Sequence, residues 1–242
     1  MSARVFPQES LAFPSARLLV LESSTTAGSV ALIADGALVA MHPVAMGAGR
    51  EDQLFPAVQA LLKAADMQPQ HLTGVVCGEG PGSFTSLRIA ASLAKGLAHG
   101  ASLSLFAVSS LLLAAADASD ALPAGPAVVH GDALRGERYV LDVRFDENRR
   151  VQAQSALQRM TLEQLDMHVA GRPRLAVLSS PVPELETQVV TPWSAHLLRV
   201  VPHAWTRVVP LESWEPQYGR LAEAQVKWEA SHGATLSSLG VS

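Results

Sequence analysis

Short apolar runs separated by turn residues open the chain. Strand-like runs cover residues 18–21, 29–33 and 37–41, and Asp35-Gly36 between the second and third runs is typical of a tight hairpin turn. The pattern predicts an antiparallel meander that starts near Arg17. Residues 1–16 carry two prolines and no sustained periodicity, so we expect a flexible leader before the first packed element.

Helical and strand periods alternate after the meander. A Gly-rich loop, Gly47-Ala48-Gly49, precedes a segment with apolar residues at helical spacing and two acidic residues in its first turn. The predicted elements are helices over 51–65, 84–99 and 109–117, the last capped by Ser109 or Ser110, and strands over 73–77 and 103–108. This order predicts an α/β lobe with a mixed sheet over residues 17–117.

A second lobe is expected over residues 118–230, after a Pro- and Gly-containing stretch at 118–126. Its predicted order of elements resembles a shorter, degenerate version of the first lobe, although no sequence repeat proves duplication. The predicted elements are strands over 127–129, 139–145 and 174–178, a short helix over 161–167 and a last helix over 218–230 that packs back on the first lobe. Residues 181–216 give no clear pattern, and residues 231–242 read as a frayed tail.

Composition narrows the classes of function. The chain has 242 residues, 48% of them hydrophobic and 17% charged, with a net charge of -4. This balance argues against strong nucleic-acid binding by the chain alone, because phosphate neutralisation needs clustered Lys and Arg. No stretch reaches the roughly 18 apolar residues of a membrane span and the start lacks a signal pattern, so we expect a cytoplasmic protein without a membrane partner. Cys77 reads as an inert core thiol.

Two loops carry candidate chemistry. Gly78-Glu79-Gly80-Pro81-Gly82-Ser83 stands between a strand and a helix, where it is either a phosphate-binding loop or a tight packing turn; it has no P-loop lysine, and Glu79 would repel phosphate. Glu22-Ser23-Ser24-Thr25-Thr26 ends the first strand and is either a phosphate and metal loop or hydrogen-bonded turn chemistry. The eight histidines show no metal-ligand spacing, and no metal or other cofactor is expected.

A mixed-charge cluster stands at a strand entry in the second lobe. Its members are Asp132, Arg135, Glu137 and Arg138. An internally paired, solvated turn is the simpler interpretation, and a partner contact is the alternative.

The helix over 84–99 has an apolar arc wider than one core face needs. We therefore expect it to be covered on two sides. Alanines at 90, 91, 94 and 98 would let another helix approach closely, and the helix over 51–65 would lie beside it as a paired platform. Simple burial between two layers of one domain is the alternative.

The segment from Gly80 to Ala98 closely resembles the signature of the TsaB (YeaZ) family. Further agreement lies in short motifs along the chain: Leu21-Glu22-Ser23-Ser24-Thr25, Leu54-Phe55-Pro56, Val108-Ser109-Ser110-Leu111, Asp132-Ala133-Leu134-Arg135-Gly136-Glu137-Arg138-Tyr139 and Pro216-Gln217-Tyr218-Gly219-Arg220. The resemblance implies a two-lobed actin-like ATPase (ribonuclease H-like) superfold with mixed sheets and no working nucleotide site.

The resemblance also implies a role and partners. The family member is a non-catalytic scaffold for a TsaD-type subunit that transfers threonylcarbamoyl to the tRNA adenosine next to the anticodon, helped by a TsaE-type ATPase. The same surface can make homodimers, and tRNA is contacted only indirectly. The partner-binding residues implied here, on the first two helices, are Leu54, Val58, Leu61, Leu87, Ala91 and Ala94. An ATPase or metalloprotease-like enzyme of the same superfold is the alternative function.

The chain departs from the family pattern at several positions. Glu22 stands where Asp is usual, Arg50-Glu51-Asp52 where His-Ser-Glu is usual, and Ser86 and Ala90 where glycines are usual. The added side chains weaken any residual nucleotide site.

Overall fold

A computed structural model of the chain describes residues 15–47, 53–177 and 187–218. Most of the predicted leader, Arg50-Glu51-Asp52 with part of the Gly-rich loop before it, most of the last predicted helix and the predicted tail lie outside the described residues.

The first sheet has five strands. In chain order they are β1 (Arg17–Glu22), β2 (Ala27–Ala34), β3 (Ala37–Ala45), β4 (Gly74–Gly78) and β5 (Ser104–Val108), and they lie side by side as β3-β2-β1-β4-β5. The first three pair antiparallel, whereas β4 joins β1 and β5 joins β4 in parallel. The Asp35-Gly36 turn is confirmed: both residues have positive φ, 52° and 77°, as the turn between two antiparallel strands requires.

Three helices cover this sheet: α1 (Leu54–Ala64) and α2 (Phe84–Gly100) on one face and α3 (Ser110–Ala116) on the other. Successive side chains of each strand point to opposite faces of the sheet. Leu19 and Leu21 therefore pack with α1 and α2, while Leu18 and Val20 pack with α3. Ser109 is the N-cap of α3, but its side chain makes no capping bond.

The second sheet repeats the strand directions of the first. Its elements are β6 (Gly125–Asp132), β7 (Glu137–Phe145), β8 (Val151–Ala153), β9 (Gln158–Thr161), α4 (Leu162–Val169), β10 (Arg174–Val177) and β11 (Gln188–Val190). The strands lie side by side as β11-β10-β6-β7-β8. β10 pairs in parallel with both β6 and β11, whereas β7 pairs antiparallel with β6, β8 and β9. The chain therefore has the two-lobed actin-like fold, with short strands of three or four residues on either side of β6 and β7 in the second sheet.

One hydrophobic cluster joins the two sheets. All seven residues of α3 are buried, and this helix packs against Val20 and Ile33 of the first sheet and against Val129 and Leu141 of the second. A 3-10 helix, Ser194–Arg199, adds to this core, and the Ser194 amide donates to Ser29 Oγ at 2.8 Å. The second sheet also has a small core of its own under α4.

The chain returns to the first sheet at its described end. Residues 208–218, here called the strap, run from the outer edge of β5 to α2: Val208 forms a bridge with Phe106, and the Val209 amide donates to the Leu105 carbonyl at 2.9 Å. The described residues contain no helix long and apolar enough to cross a membrane.

Candidate partner-binding face and interlobe cleft

The surroundings of α2 follow from its helical geometry. At 100° per residue the buried positions, Ser86, Leu87, Ala90, Ala91, Ala94 and Ala98, form one arc that faces the sheet. Half-buried Ile89, Leu93 and Leu97 lie on the side of α1, with whose residues they share a hydrophobic cluster. The expectation of cover on two sides is met within the chain, by the sheet and α1 and, on the opposite flank, by the strap.

The solvent-facing strip of α2 is narrow and lacks bulky apolar side chains. The exposed residues of α2 are Thr85, Arg88, Ser92, Gly96, His99 and Gly100. A Cβ added at Gly96 would meet nothing within 4 Å, so this part of the helix is open. A second helix can approach closely over Ser92 and Gly96 because neither carries a large side chain.

The outer side of α1 adds apolar surface to this strip. Phe55 is 50% exposed. It borders a groove of about 500 Å³, whose lining includes Val58 and Leu62 of α1, Met67 and Leu97. The exposed strip of α2, the outer side of α1 and this groove together form what we call the docking face.

Of the six residues predicted to bind a partner, Val58 lines the groove of the docking face, and the other five lie elsewhere on the same helices. Leu54, Val58, Leu61, Leu87, Ala91 and Ala94 are all 5% exposed or less. The alanine arc lets α2 lie close to its own sheet, which is the simple-burial alternative, and it is not open to an outside helix. Contact of these six residues with a partner stays a prediction, whereas Phe55, Ser92 and Gly96 are the surface residues that sequence reasoning missed.

The Gly-rich loop before α2 is bonded into the fold. The amides of Glu79, Gly80 and Ser83 donate to the Val108 carbonyl, Ser110 Oγ and the Ser24 carbonyl, at 2.9, 3.1 and 2.8 Å. Any Cβ at Gly82 would collide with the Ser24 backbone. Because these amides already have partners, the loop acts as a packing turn, the simpler of the two interpretations.

The acid at the end of β1 is also used internally. Glu22 is fully buried, and its carboxylate accepts from the Ser24 amide at 2.6 Å and from Ser110 Oγ at 2.8 Å. Burial raises the pKa of the Glu22 carboxyl, and these hydrogen bonds oppose the rise. The loop therefore shows the hydrogen-bonded turn chemistry expected as the simpler interpretation.

The cleft between the sheets is nearly closed. A cavity of about 30 Å³ lies between the β1 end, at Ser24 and Thr25, and the β6 end, at Asp132. Small-molecule sites usually measure about 300–1,000 Å³, and about 30 Å³ is the share of one water molecule in the liquid. In the described parts of the chain, no group of three or more His, Cys, Asp or Glu is placed to hold a metal ion.

The charged cluster after β6 forms an internally paired turn. Asp132 Oδ1 accepts from the Leu134 amide at 2.8 Å and from Arg138 Nη1 at 3.0 Å, and Glu137 pairs with Arg159 at 3.3 Å. This agrees with the simpler interpretation of the cluster.

Comparison with known proteins identifies the family. The family model described as "TsaD: tRNA N6-adenosine threonylcarbamoyltransferase" matches residues 41–187, more than half of the chain. Curated relatives, named tRNA threonylcarbamoyladenosine biosynthesis protein TsaB, are 35% identical: the Escherichia coli protein over 132 residues and the Bacillus subtilis protein over 100. The chain belongs to the TsaD family, as a TsaB (YeaZ) member.

The extent of these matches differs between sequence and structure. The Escherichia coli alignment covers 54% of this chain and 57% of that TsaB, and the Bacillus subtilis alignment covers 41% and 44%. The chain thus spans about half the length of the curated relatives it matches. The solved YeaZ structure from Pseudomonas aeruginosa aligns over 84% of this chain and 99% of its own length, with a TM-score of 0.71 and 25% identity.

The departures from the TsaB pattern have structural consequences. At position 22 the longer Glu side chain reaches α3 and fills the space over Gly78, where an added Cβ would collide with its carboxylate. Ser86 is buried, and its Oγ lies 3.0 Å from Ser83 Oγ, while its carbonyl accepts from Ser23 Oγ at 3.0 Å. These side chains occupy the turn between β1 and α2 with hydrogen bonds made within the protein.

Proposed function

We propose that this chain is a non-catalytic scaffold in the synthesis of threonylcarbamoyladenosine on tRNA, and that it docks a TsaD-type catalytic subunit on the docking face. The names of the TsaB relatives support the pathway. The match to a model named for the transferase supports a partner with a related fold. A TsaE-type ATPase would join through the complex, and homodimers would use the same face.

The observation that carries the docking proposal is the open strip of α2. Ser92 and Gly96 present small residues between the half-exposed Phe55 of α1 on one side and the strap on the other. A partner helix laid on this strip would bring its backbone close to α2, and a large apolar side chain beside it would fill the groove next to Phe55.

The non-catalytic part of the proposal is supported by the interlobe cleft. A cavity of about 30 Å³ is far below the size of a nucleotide site. The net charge of -4 likewise favours a partner that supplies the cationic surface for tRNA.

The test is binding of the full chain to the TsaD-type protein of its own organism. Ser92→Arg and Gly96→Arg place a long charged side chain in the open strip without entering the core, and each should weaken binding by about tenfold or more. Met167→Glu on α4, a residue 69% exposed, is the matched control and should bind like the unmodified chain. A charge at Ala91 would test folding instead, because Ala91 lies in the core.

Two results would overturn the proposal. The first is unchanged binding of both strip variants, which would remove the docking face. The second is an unchanged level of threonylcarbamoyladenosine in tRNA nucleosides, measured by mass spectrometry after depletion of the protein. ATP turnover by the isolated chain would favour the enzymatic alternative.

A further inference from the structure

The strap is fixed to the first sheet at both ends by backbone hydrogen bonds. At one end the Val209 amide donates to the Leu105 carbonyl on the outer edge of β5. At the other end the Gln217 amide donates to the Glu79 carbonyl at 2.7 Å, and Gly80 is so close to Gln217 that an added Cβ would lie 2.8 Å from the Gln217 carbonyl oxygen. The strap is therefore part of the sheet's edge and of the Gly-rich turn.

Glu79 connects two side chains of the strap. Its carboxylate accepts from Gln217 Nε2 at 3.0 Å and from the indole of Trp214, which is 8% exposed and packs in the cluster under α1 and α2. Hydrogen bonds to a charged acceptor are stronger than neutral ones. A carboxylate at position 79 would repel phosphate, which argued against a phosphate-binding loop. In the fold this carboxylate instead holds the Gln217 and Trp214 side chains.

Three side chains of α2 meet the strap along one line of the helix. The Phe84 and Tyr218 rings lie 4.5 Å apart between centroids, and the Arg88 guanidinium lies 5.6 Å from the Tyr218 ring centroid. Lys95 Nζ lies 3.7 Å from a Glu215 carboxylate oxygen and 5.9 Å from the Trp214 ring centroid. At 100° per residue, positions 84, 88 and 95 fall within about 40° of each other, on the flank of α2 opposite α1.

We propose that the strap, pinned by Glu79, is the second wall of the docking face, so that the partner meets a surface made of α1, α2 and residues 208–218. Glu212 and Glu215 of this wall are exposed, and Glu215 lies next to Lys95 of α2. A partner that abuts it should carry basic or hydrogen-bond donor groups there, since complementary charge speeds encounter and fixes orientation. The docking part of this inference rests on the proposed function, whereas the pinning part does not.

The pinning is tested on the isolated chain by amide hydrogen exchange. Glu79→Ala removes the acceptor of both strap side chains, and exchange over 208–218 should accelerate about tenfold or more while α1 and β1 exchange as before. Glu79→Gln keeps an acceptor oxygen and should stay much closer to the unmodified chain. If Glu79→Ala does not fold, Gln217→Ala, at an exposed position, should accelerate exchange in the same segment. If exchange of the strap is unchanged in these variants, or if exchange accelerates equally across the whole sheet, Glu79 does not hold the strap in place.

The wall is tested by binding to the TsaD-type subunit. Glu79→Ala should weaken binding by about fivefold or more, and Glu215→Lys should weaken it more at low salt than at high salt. Suppose that Glu79→Ala binds normally although its strap exchanges rapidly. That result would overturn the inference that the strap contacts the partner, and it would leave intact the inference that Glu79 holds the strap in place. If Ser92→Arg and Gly96→Arg also bind normally, the docking proposal itself fails, and the exchange result is unaffected.

Discussion

His130 gives the sharpest stability prediction of this fold. It lies on β6, it is 0% exposed, and neither ring nitrogen has a hydrogen-bond partner among the residues that the structure describes. The strand register places Arg138 on β7 and Arg174 on β10 diagonally to either side of it, on the same face of the sheet. Burial first, and then the charges of Arg138 and Arg174, lower the pKa of His130 to about 4.

The sign of the pH effect follows from this direction. The unfolded chain binds a proton at His130 with the ordinary pKa of 6.5, whereas the folded chain binds it only near 4. The unfolded state therefore takes up more protons as the pH falls, and the fold loses stability between pH 6.5 and pH 4. The linkage relation gives a loss from this residue of about 2 kcal/mol by pH 5 and a limit of about 3 kcal/mol below pH 4.

The assay is urea unfolding of the unmodified chain and of His130→Leu at pH 7.5, 6 and 5. Other groups titrate too: burial raises the pKa of Glu22 and of Glu79, and protonation of these acids would partly stabilise the fold. The quantity to compare is therefore the difference in unfolding free energy between the two proteins at each pH. His130→Leu should gain about 2 kcal/mol relative to the unmodified chain between pH 7.5 and 5.

The control is His99→Gln, on the exposed strip of α2, which removes a histidine without touching the core. A difference between the unmodified chain and His130→Leu that stays within about 0.5 kcal/mol over this range, well below the linkage value, would refute the reasoning. It would mean that the His130 imidazole is hydrated or hydrogen-bonded in the folded protein.

Two further predictions concern single side chains near the docking face. Gly96 lies inside α2 with open space around it, so Gly96→Ala should raise the free energy of unfolding by about 0.5–1 kcal/mol. Urea unfolding measures this change, and a loss of stability would contradict the open environment of Gly96. Cys77 is fully buried, and burial raises the pKa of its thiol, so an aromatic disulfide reagent should label it only as fast as the protein unfolds, with rapid labelling of the native chain as the contrary result.

Much of the fold was predictable from local pattern. The meander, the Asp35-Gly36 turn and the alternation of helices with β4 and β5 follow from periodicity and turn chemistry, which act over a few residues. The short strands β8, β9 and β11 were missed, since three or four partly polar residues give no clear period. Their strand structure comes from pairing with β7 and β10, which is long-range information.

The sequence indicated the helix that carries the candidate site, α2, but not which of its residues are exposed. The width of the apolar arc predicted that α2 is covered on two sides, but the direction of that arc depends on what covers it. The strap comes from more than a hundred residues further along the chain, and no local pattern connects Trp214 or Gln217 with Glu79. The six residues predicted from the sequence, four of them leucine or valine and two of them alanine, are buried, whereas Ser92 and Gly96 are exposed.

The burial of α3 between the sheets determines how the molecule can move. In a two-lobed enzyme that closes on its ligand, the lobes turn about a hinge and the contacts between them change. Here Leu111 and Leu113 belong to a core that includes residues of both sheets, so a rotation of one sheet against the other would open cavities on either side of α3. The two sheets should therefore keep a fixed distance and angle to each other, so that a partner bound at α1 and α2 would stand at a constant position relative to the far edge of the second sheet.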